Sequence, residues 1–252
     1  MTTEGADDIA TEAIRLGDDA VAAGIPLRLI GGLAIWATSP TARRPPIARS
    51  YPDVDLAADS RSVPAVRSFL EAHGYAPERL FNAIHGAQRL NFARNGGGWT
   101  IDVLLDELRM SHTIPFRGRL TTSGPTVDLA DLLLMKLQVW EIERKDLADA
   151  AAVLVDHDLV RGRGTPSSEA VDLDRIAALT GADWGLGHTV ERNLERVAVL
   201  ASELASAPRP LAAQVEAVAD AIEAAPKTLG WRARARVGER VRWYETPEEV
   251  RH

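Results

Sequence analysis

Three aspartates in two short apolar segments have the residue type and spacing that suit metal chemistry. The segment RSYPDVDLA, residues 49–57, places Asp53 and Asp55 two positions apart, so both side chains lie on one face if the segment is a strand. Neighbouring carboxylates repel each other unless a cation lies between them, and a divalent metal ion is the usual cation. The pair is a candidate metal site. Two aspartates at this spacing are more often found in a charged edge strand or in an Asp-rich turn, here after Pro52, than in a metal site.

The third aspartate is Asp102. The stretch QRLNFARNGGGWTIDVLLDEL predicts a β-hairpin with its turn at Asn95–Gly98, and Asp102 lies inside the second apolar run. A charge in such a run is costly unless it faces a site or a partner. Asp106 falls on the same face by alternation and is the competing third carboxylate, although we expect it at the end of the strand.

A glycine pair precedes the first two aspartates. IPLRLIGG followed by LAIWAT predicts a strand that passes through a tight turn at Gly31 and Gly32 into a helix. Glycines allow a ligand to approach the backbone, and free N–H groups at a helix start favour an anion such as phosphate. A glycine pair is also found in ordinary turns. The proline-rich loop that follows, residues 39–52, contains Arg43, Arg44 and Arg49.

A lysine lies on a long helical segment downstream. Residues 126–157 carry a helical pattern that is longer than usual, so we expect two helices that meet near Glu141–Lys145. Lys136 lies among leucines, where its ammonium group either reaches water or contacts a bound phosphate. In ERKDLAD, Asp146 and Asp149 have the spacing of a functional pair and equally that of a salt-bridged helix surface.

The remaining elements frame these residues. Helical patterns cover residues 6–23 and a segment that begins near Ser60 or Ser62 and ends at Gly74. After about Asp158 the composition changes through the linker-like VRGRGTPSS to helical segments only. We therefore divide the chain into residues 1–160 and 161–252, and expect the second part to be a helical bundle.

Composition excludes several classes of protein. The 252 residues have a net charge of −7 and no cysteine, so there is no disulfide framework, thiolate metal site or thiol nucleophile. No stretch is apolar enough to span a membrane, and the acidic N-terminal segment lacks the features of a secretory signal, so we expect a cytoplasmic protein. The histidines lack zinc-site spacing, and the chain has neither a G-x-S-x-G elbow nor a P-loop.

One dense basic segment lies near the C-terminus. WRARARVGERVRWYETPEEV combines five arginines with flanking tryptophans, and within it Arg232, Arg234 and Arg236 are candidate acceptor-binding residues. Arginines beside tryptophans suit phosphate contacts and base stacking, as the acceptor end of a tRNA requires. A solvated basic helix surface explains the same pattern.

Taken in order, LIGGLAIW, YPDVDLA, WTIDVLLD and LLLMKLQVWEIERKDLADAAAVL resemble the polymerase-β-like nucleotidyltransferase superfamily. The resemblance is to its AbiEii-like or MenA-like branch, the nucleotidyltransferase toxins of toxin-antitoxin pairs, and it covers residues 27–158. Family members have a glycine turn at the place of Gly31 and Gly32, and a D-x-D pair at the place of Asp53 and Asp55. A third acidic residue often follows, which Asp102 matches.

The toxin branch also carries a lysine on a downstream helix, matched by Lys136. A basic residue followed by D-x-x-D comes next, matched by Lys145, Asp146 and Asp149. The resemblance implies an α+β fold of the nucleotidyltransferase type, a small mixed sheet flanked by helices and followed by a C-terminal helical bundle.

The resemblance further implies an enzyme that uses Mg²⁺ or Mn²⁺ and an NTP. Asp53 and Asp55 would hold the metal ion against the triphosphate, and Asp102 would hold a second metal or act as base. Gly31 and Gly32 would cradle the phosphates, and Lys136 with a loop arginine such as Arg49 would neutralise them. Of Asp146 and Asp149, one would orient Lys136 or the acceptor, and the other would only cap or pair within the helix; we take Asp146 as the candidate catalytic residue.

Three functions remain open from the sequence. The first is a toxin that adds nucleotides to tRNA and has a cognate antitoxin as partner, which the Arg/Trp segment favours. The second is an antibiotic nucleotidyltransferase for aminoglycosides or lincosamides, whose cationic substrates suit an acidic protein. The third is a nucleotide-binding interaction module without catalysis, against which the retained carboxylates and Lys136 argue.

Overall fold

The computed structural model describes residues 3–96, 98–162 and 164–246. Three predictions therefore fall partly outside the described residues. The predicted hairpin turn at Asn95–Gly98 includes Gly97, and the predicted linker VRGRGTPSS includes Arg163. The basic C-terminal segment includes residues 247–250. These residues lie outside the described ranges.

A five-stranded mixed sheet forms the centre of the fold. The strands are β1 (Leu27–Leu29), β2 (Val54–Ala58), β3 (Tyr75–Pro77), β4 (Arg89–Arg94) and β5 (Thr100–Leu105). Their spatial order is β1-β2-β5-β4-β3; β2 and β5 pair parallel, and the other neighbours pair antiparallel. The predicted hairpin is confirmed as β4 and β5.

Four helices accompany the sheet: α1 (Thr3–Ala22), α2 (Gly31–Thr38), α3 (Val63–Ala72) and α4 (Arg79–His85). The predicted strand, glycine turn and helix are confirmed as β1 and α2. Helix α4 was not predicted from the sequence. It has only seven residues, none of them buried, and so short a segment does not fill the window of about 11 or more residues in which helical periodicity is recognised.

The long helical segment divides as expected. Helices α5 (Leu129–Leu137) and α6 (Arg144–Asp156) are separated by residues 138–143. The side chain of Asp128 accepts hydrogen bonds from the backbone N–H groups of Ala130 and Asp131, so it caps the start of α5. Four short strands make two small additional sheets: β6 (Glu107–Arg109) with β7 (Thr113–Pro115), and β8 (Asp158–Val160) with β9 (Ala170–Asp172).

The C-terminal part is helical, as predicted. It contains α7 (Leu173–Ala182), α8 (Trp184–Ala198), α9 (Leu211–Glu223) and α10 (Leu229–Val237). One hydrophobic core extends from the sheet through α5 and α6 into α7, α8 and α9. The predicted boundary after residue 160 falls between β8 and β9, which pair with each other. The division into two folding units therefore remains a prediction.

The architecture is α+β, a small mixed sheet flanked by helices and followed by C-terminal helices. In the described ranges, no helix combines the length and the apolar composition that crossing a membrane requires.

Candidate active site

Two of the predicted aspartates lie side by side on neighbouring strands. Asp55 on β2 and Asp102 on β5 are direct partners in the parallel register. Asp53 lies one residue before β2, is exposed, and accepts a hydrogen bond of 3.4 Å from Thr100 Oγ1. Asp55 and Asp102 both line a cavity of about 480 Å³, so the sheet brings two carboxylates to the wall of one cavity.

The carboxylate of Asp102 has a full set of partners. Arg89 on β4 binds it in bidentate fashion, with Nε 3.0 Å from Oδ1 and Nη2 2.7 Å from Oδ2. Asn91 Nδ2 donates a further hydrogen bond of 2.9 Å to Oδ1. These contacts neutralise a buried charge that would otherwise be costly. They hold Asp102 in place beside Asp55.

The carboxylate of Asp55 has no such partners. Within the part of the chain that the structure describes, no residue donates a hydrogen bond to its side chain. Burial, followed by the negative charge of Asp102, raises the pKa of Asp55 to about 6, which Lys136 opposes only in part. A cation at this point of the cavity would relieve both effects.

At Gly31 and Gly32 the neighbouring side chains leave no room for a Cβ atom. Gly31 has a φ of +69°, and a Cβ added there would lie 2.6 Å from Asp55 Oδ2. A Cβ on Gly32 would lie 2.4 Å from Arg49 Nη2 and 2.5 Å from the ring of Tyr51. No side chain caps the N-terminus of α2. Its first N–H groups therefore remain candidates for an anion beside Asp55.

A buried ion-pair network borders the cavity on the helical side. Lys136 Nζ lies 2.7 Å from Asp146 Oδ1 and 3.0 Å from Asp149 Oδ2. Arg49 Nη2 binds the same Asp149 Oδ2 at 2.6 Å, so the loop and α6 are joined through one carboxylate. Burial disfavours the charge on Lys136, but Asp149 and Asp146 outweigh it, and the pKa of Lys136 is raised. Lys136 is therefore a cation in the cavity wall.

The other two loop arginines differ from Arg49. Arg43 donates to the carbonyl oxygens of Trp36 and Ala37, both at 2.8 Å, so it closes the end of α2. Arg44 is exposed.

Asp106 lies outside the cavity that contains Asp55 and Asp102. It follows β5 with a φ of +68° and binds Arg117 Nη2 at 2.5 Å. That hydrogen bond, with those from Ser60, lowers the pKa of Asp106 to about 2. The geometry thus favours Asp102 over Asp106 as the third carboxylate.

The cavity brings together residues that are far apart in the sequence. Its wall includes Gly31, Asp55, Arg89, Asp102, Lys136 and Asp146. Of these, the sequence analysis missed only Arg89. A usable signal was present, because Arg89 and Asn91 alternate on the strand that the predicted hairpin pairs with Asp102.

The cavity contains the oxygen donors that Mg²⁺ prefers, but the carboxylates are not equivalent. Among the residues described, no group of three or more acidic or histidine side chains is arranged to hold a metal ion. Mg²⁺ bound next to phosphates commonly uses one or two carboxylates and takes its other ligands from substrate and water. Asp55 fits this role from the cavity wall. Asp53 does not line the cavity, but it lies near enough for its negative charge to contribute to the raised pKa of Asp55. Asp102 fits less well while Arg89 and Asn91 occupy its oxygens.

The three arginines predicted to bind an acceptor lie on α10, away from this cavity. Neither Arg232 nor Arg236 lines it. Arg234 donates to the carbonyl oxygens of Gly238, at 2.6 Å, and Val241, at 2.5 Å. Its guanidinium carbon also lies 4.8 Å from the ring centroid of Trp184. Arg234 therefore holds the chain that follows α10.

Comparison with known proteins adds little to this description. No protein-family model matches the sequence, and neither does any curated protein. Among solved structures, the chain is similar to the crystal structure of an antigenic nucleotidyltransferase-like protein from Paracoccidioides brasiliensis. The two share 13% sequence identity with a TM-score of 0.41, over 89% of this chain and 96% of that chain.

Proposed function

We propose that this protein is a nucleotidyltransferase that transfers a nucleoside monophosphate from an NTP to an acceptor hydroxyl and releases pyrophosphate. The observation that carries the proposal is the pairing of Asp55 with Asp102 across β2 and β5, directly against Gly31 at the start of α2. One cavity wall contains a carboxylate to which no described residue donates a hydrogen bond, a second carboxylate that is held in place, and an uncapped helix start. This arrangement suits a metal–triphosphate complex.

The proposed metal ion is Mg²⁺ or Mn²⁺, held by Asp53 and Asp55. When bound, it would neutralise the triphosphate and polarise the α-phosphate. The backbone at Gly31 and Gly32 binds phosphate oxygens, because no side chain there blocks their approach. Lys136 lies in the cavity wall and balances the charge of the leaving pyrophosphate, and Asp146 orients its ammonium group.

The reaction is an in-line displacement at the α-phosphorus. The acceptor oxygen forms the new P–O bond while the bond between the α-phosphorus and the bridging oxygen breaks, and pyrophosphate leaves with that electron pair. Asp102, positioned by Arg89 and Asn91, takes the proton of the acceptor hydroxyl. Most of the rate enhancement comes from positioning and charge stabilisation.

For the acceptor we propose tRNA, in a toxin of the AbiEii-like type with a cognate antitoxin. The order of the Gly-Gly, D-x-D, third-Asp and lysine elements along residues 27–158 supports this branch. Each of these elements contributes a residue to the wall of one cavity, as such an enzyme requires: Gly31, Asp55, Asp102 and Lys136.

The experiment is transfer of label from each α-³²P-labelled NTP, with Mg²⁺, to total tRNA or to a panel of aminoglycosides and lincosamides. Labelled tRNA that is lost in Asp55→Ala and kept in Asp106→Asn would support the proposal. Asp106→Asn is a matched control because Asp106 lies outside the cavity, and asparagine tolerates its left-handed φ. Label on an antibiotic would identify the antibiotic enzyme instead. Absence of both label and pyrophosphate would leave a nucleotide-binding module.

A further inference from the structure

A second cavity, of about 700 Å³, adjoins the first. The two cavities share four lining residues, Arg89, Leu104, Arg109 and Met110. One of these, Arg89, is the residue that binds Asp102. A molecule in the second cavity therefore lies next to the carboxylates of the first.

Planar side chains from two distant parts of the chain line the second cavity. Phe81 and His85 on α4 contribute one pair, with ring centroids 4.7 Å apart. Tyr244 contributes another ring, with the guanidinium carbon of Arg242 4.6 Å from its centroid. Rings and guanidinium planes stack on nucleobases without regard to base identity. The cavity therefore suits an unpaired nucleoside.

The C-terminal wall of this cavity is anchored to the protein. Tyr244 stacks on Trp140, with ring centroids 5.0 Å apart and planes at 20°. Trp243 packs edge-on against the same ring at 4.7 Å, and its Nε1 donates to Thr189 Oγ1 at 3.2 Å. The backbone N–H of Glu245 donates to the carbonyl of Ser111 at 3.0 Å. Residues 242–246 thus form a positioned wall.

One guanidinium in the wall of this cavity, that of Arg242, is available to an anionic ligand. Arg89 and Arg109 are already paired, with Asp102 and Glu107 respectively. Arg242 has no carboxylate partner in the described ranges and donates a hydrogen bond to Thr246 Oγ1. Two glutamates line the cavity, Glu107 and Glu245. Glu107 pairs with Arg109, so a cationic acceptor would have Glu245 as its counter-charge. A guanidinium that has no carboxylate partner among the described residues, beside two aromatic walls, matches a phosphodiester with its base.

We propose that this second cavity is the acceptor subsite and that it binds the single-stranded end of an RNA through Tyr244, Arg242 and Phe81. The terminal hydroxyl then enters the first cavity past Arg89. This assignment rests on the proposed nucleotidyl transfer, and it places acceptor binding on residues 242–246 instead of on the helix that carries Arg232 and Arg236.

The test is binding of a 5′-fluorescein-labelled single-stranded RNA dodecamer, measured by anisotropy with EDTA present so that no transfer occurs. We expect Tyr244→Ala and Arg242→Gln to raise the Kd at least tenfold, and Tyr244→Phe to restore binding because the ring is kept. Arg232→Gln and Arg236→Gln are charge-matched controls outside both cavities, and we expect less than a threefold change. Binding of NTP with Mn²⁺ should be unchanged in every variant.

Unchanged RNA affinity in Tyr244→Ala and Arg242→Gln would overturn the subsite, and so would a larger loss in the Arg232 and Arg236 variants. Arg242 is exposed, so Arg242→Gln remains informative even if Tyr244→Ala disturbs the aromatic cluster. Wild-type transfer to tRNA with an unchanged KM in both cavity variants would refute the subsite and leave the proposed function intact. RNA binding that depends on Tyr244, without transfer to any acceptor, would support the subsite and refute the function.

Discussion

Asp55 and Asp102 face each other across β2 and β5, and among the described residues only Asp102 receives hydrogen bonds on its side chain. Arg89 and Asn91 hold one carboxylate in place, while the other lines the cavity without a donor among the described residues. The site therefore contains one positioned carboxylate and one whose charge is poorly compensated. The poorly compensated charge should make the stability of the protein depend on pH and on a bound metal ion.

In the metal-free protein, ionised Asp55 is expected to destabilise the fold. Its pKa is about 6 in the folded state and about 4 in an unfolded chain. Between these two pH values only the unfolded state loses the proton, so stability falls as pH rises and the full penalty persists above pH 6. We expect Asp55→Asn to raise the melting temperature above pH 6, with a gain that shrinks toward pH 4. Thermal melts in EDTA at pH 4 to 8 would measure this.

Asp106 provides a control of opposite sign. Its folded pKa of about 2 lies below the unfolded value, so its ion pair stabilises the fold above about pH 4, and that contribution is lost as pH falls toward 2. We expect Asp106→Asn to lower the melting temperature at neutral pH. If Asp55→Asn and Asp106→Asn changed the melting temperature in the same direction and by the same amount, the buried, uncompensated environment of Asp55 and the ion-paired environment of Asp106 would both be contradicted.

Divalent metal should stabilise the wild-type protein through Asp55. A ligand that binds only the folded state raises its stability by mass action. We expect Mn²⁺ with an NTP to raise the melting temperature at pH 7.5, and expect this increase to disappear in Asp55→Asn but to persist in Asp106→Asn. An equal increase in all three proteins would locate metal binding elsewhere.

Gly31→Ala should abolish activity by displacing Asp55. The added Cβ would lie 2.6 Å from Asp55 Oδ2, which is too close for the side chain to stay in place. Alanine at position 31 would also have to adopt a left-handed φ. Gly24→Ala is the matched control, since its φ is +67° and nothing lies within 4 Å of the added Cβ. We expect each substitution to cost about 1 kcal/mol from backbone strain, with loss of transfer confined to Gly31→Ala. Urea unfolding and the labelled transfer assay would measure the two effects.

Asp149→Asn should be strongly destabilising. It removes one carboxylate that pairs with both Arg49 and Lys136, and leaves two cations with reduced compensation. We expect a loss of about 3 kcal/mol in the free energy of unfolding, as for other broken buried pairs. Asp158→Asn breaks an exposed pair with Arg209 and should cost less than about 1 kcal/mol. Similar losses in the two variants would contradict a special role for the buried network.

The sequence was sufficient for features that depend on neighbouring residues. Period-two alternation placed Asp102 inside a hairpin strand, which β5 confirms. That Asp53 and Asp55 share a face remains a prediction, because β2 begins only at Val54. The glycine pair predicted the turn from β1 into α2, and the long apolar pattern predicted the two helices α5 and α6. These signals are local because backbone geometry repeats every few residues.

Only the tertiary structure decided which side chains meet. Parallel pairing of β2 with β5 sets Asp55 beside Asp102, and that register depends on packing between segments far apart in the chain. The same packing joins Arg49 to Asp149 and brings Arg242 and Tyr244 to the cavity beside Arg89. Periodicity assigns a residue to a face, but it carries no information about its partner across space. The sequence by itself therefore determined the candidate carboxylates, glycines and lysine, whereas the fold determined how their charges are compensated.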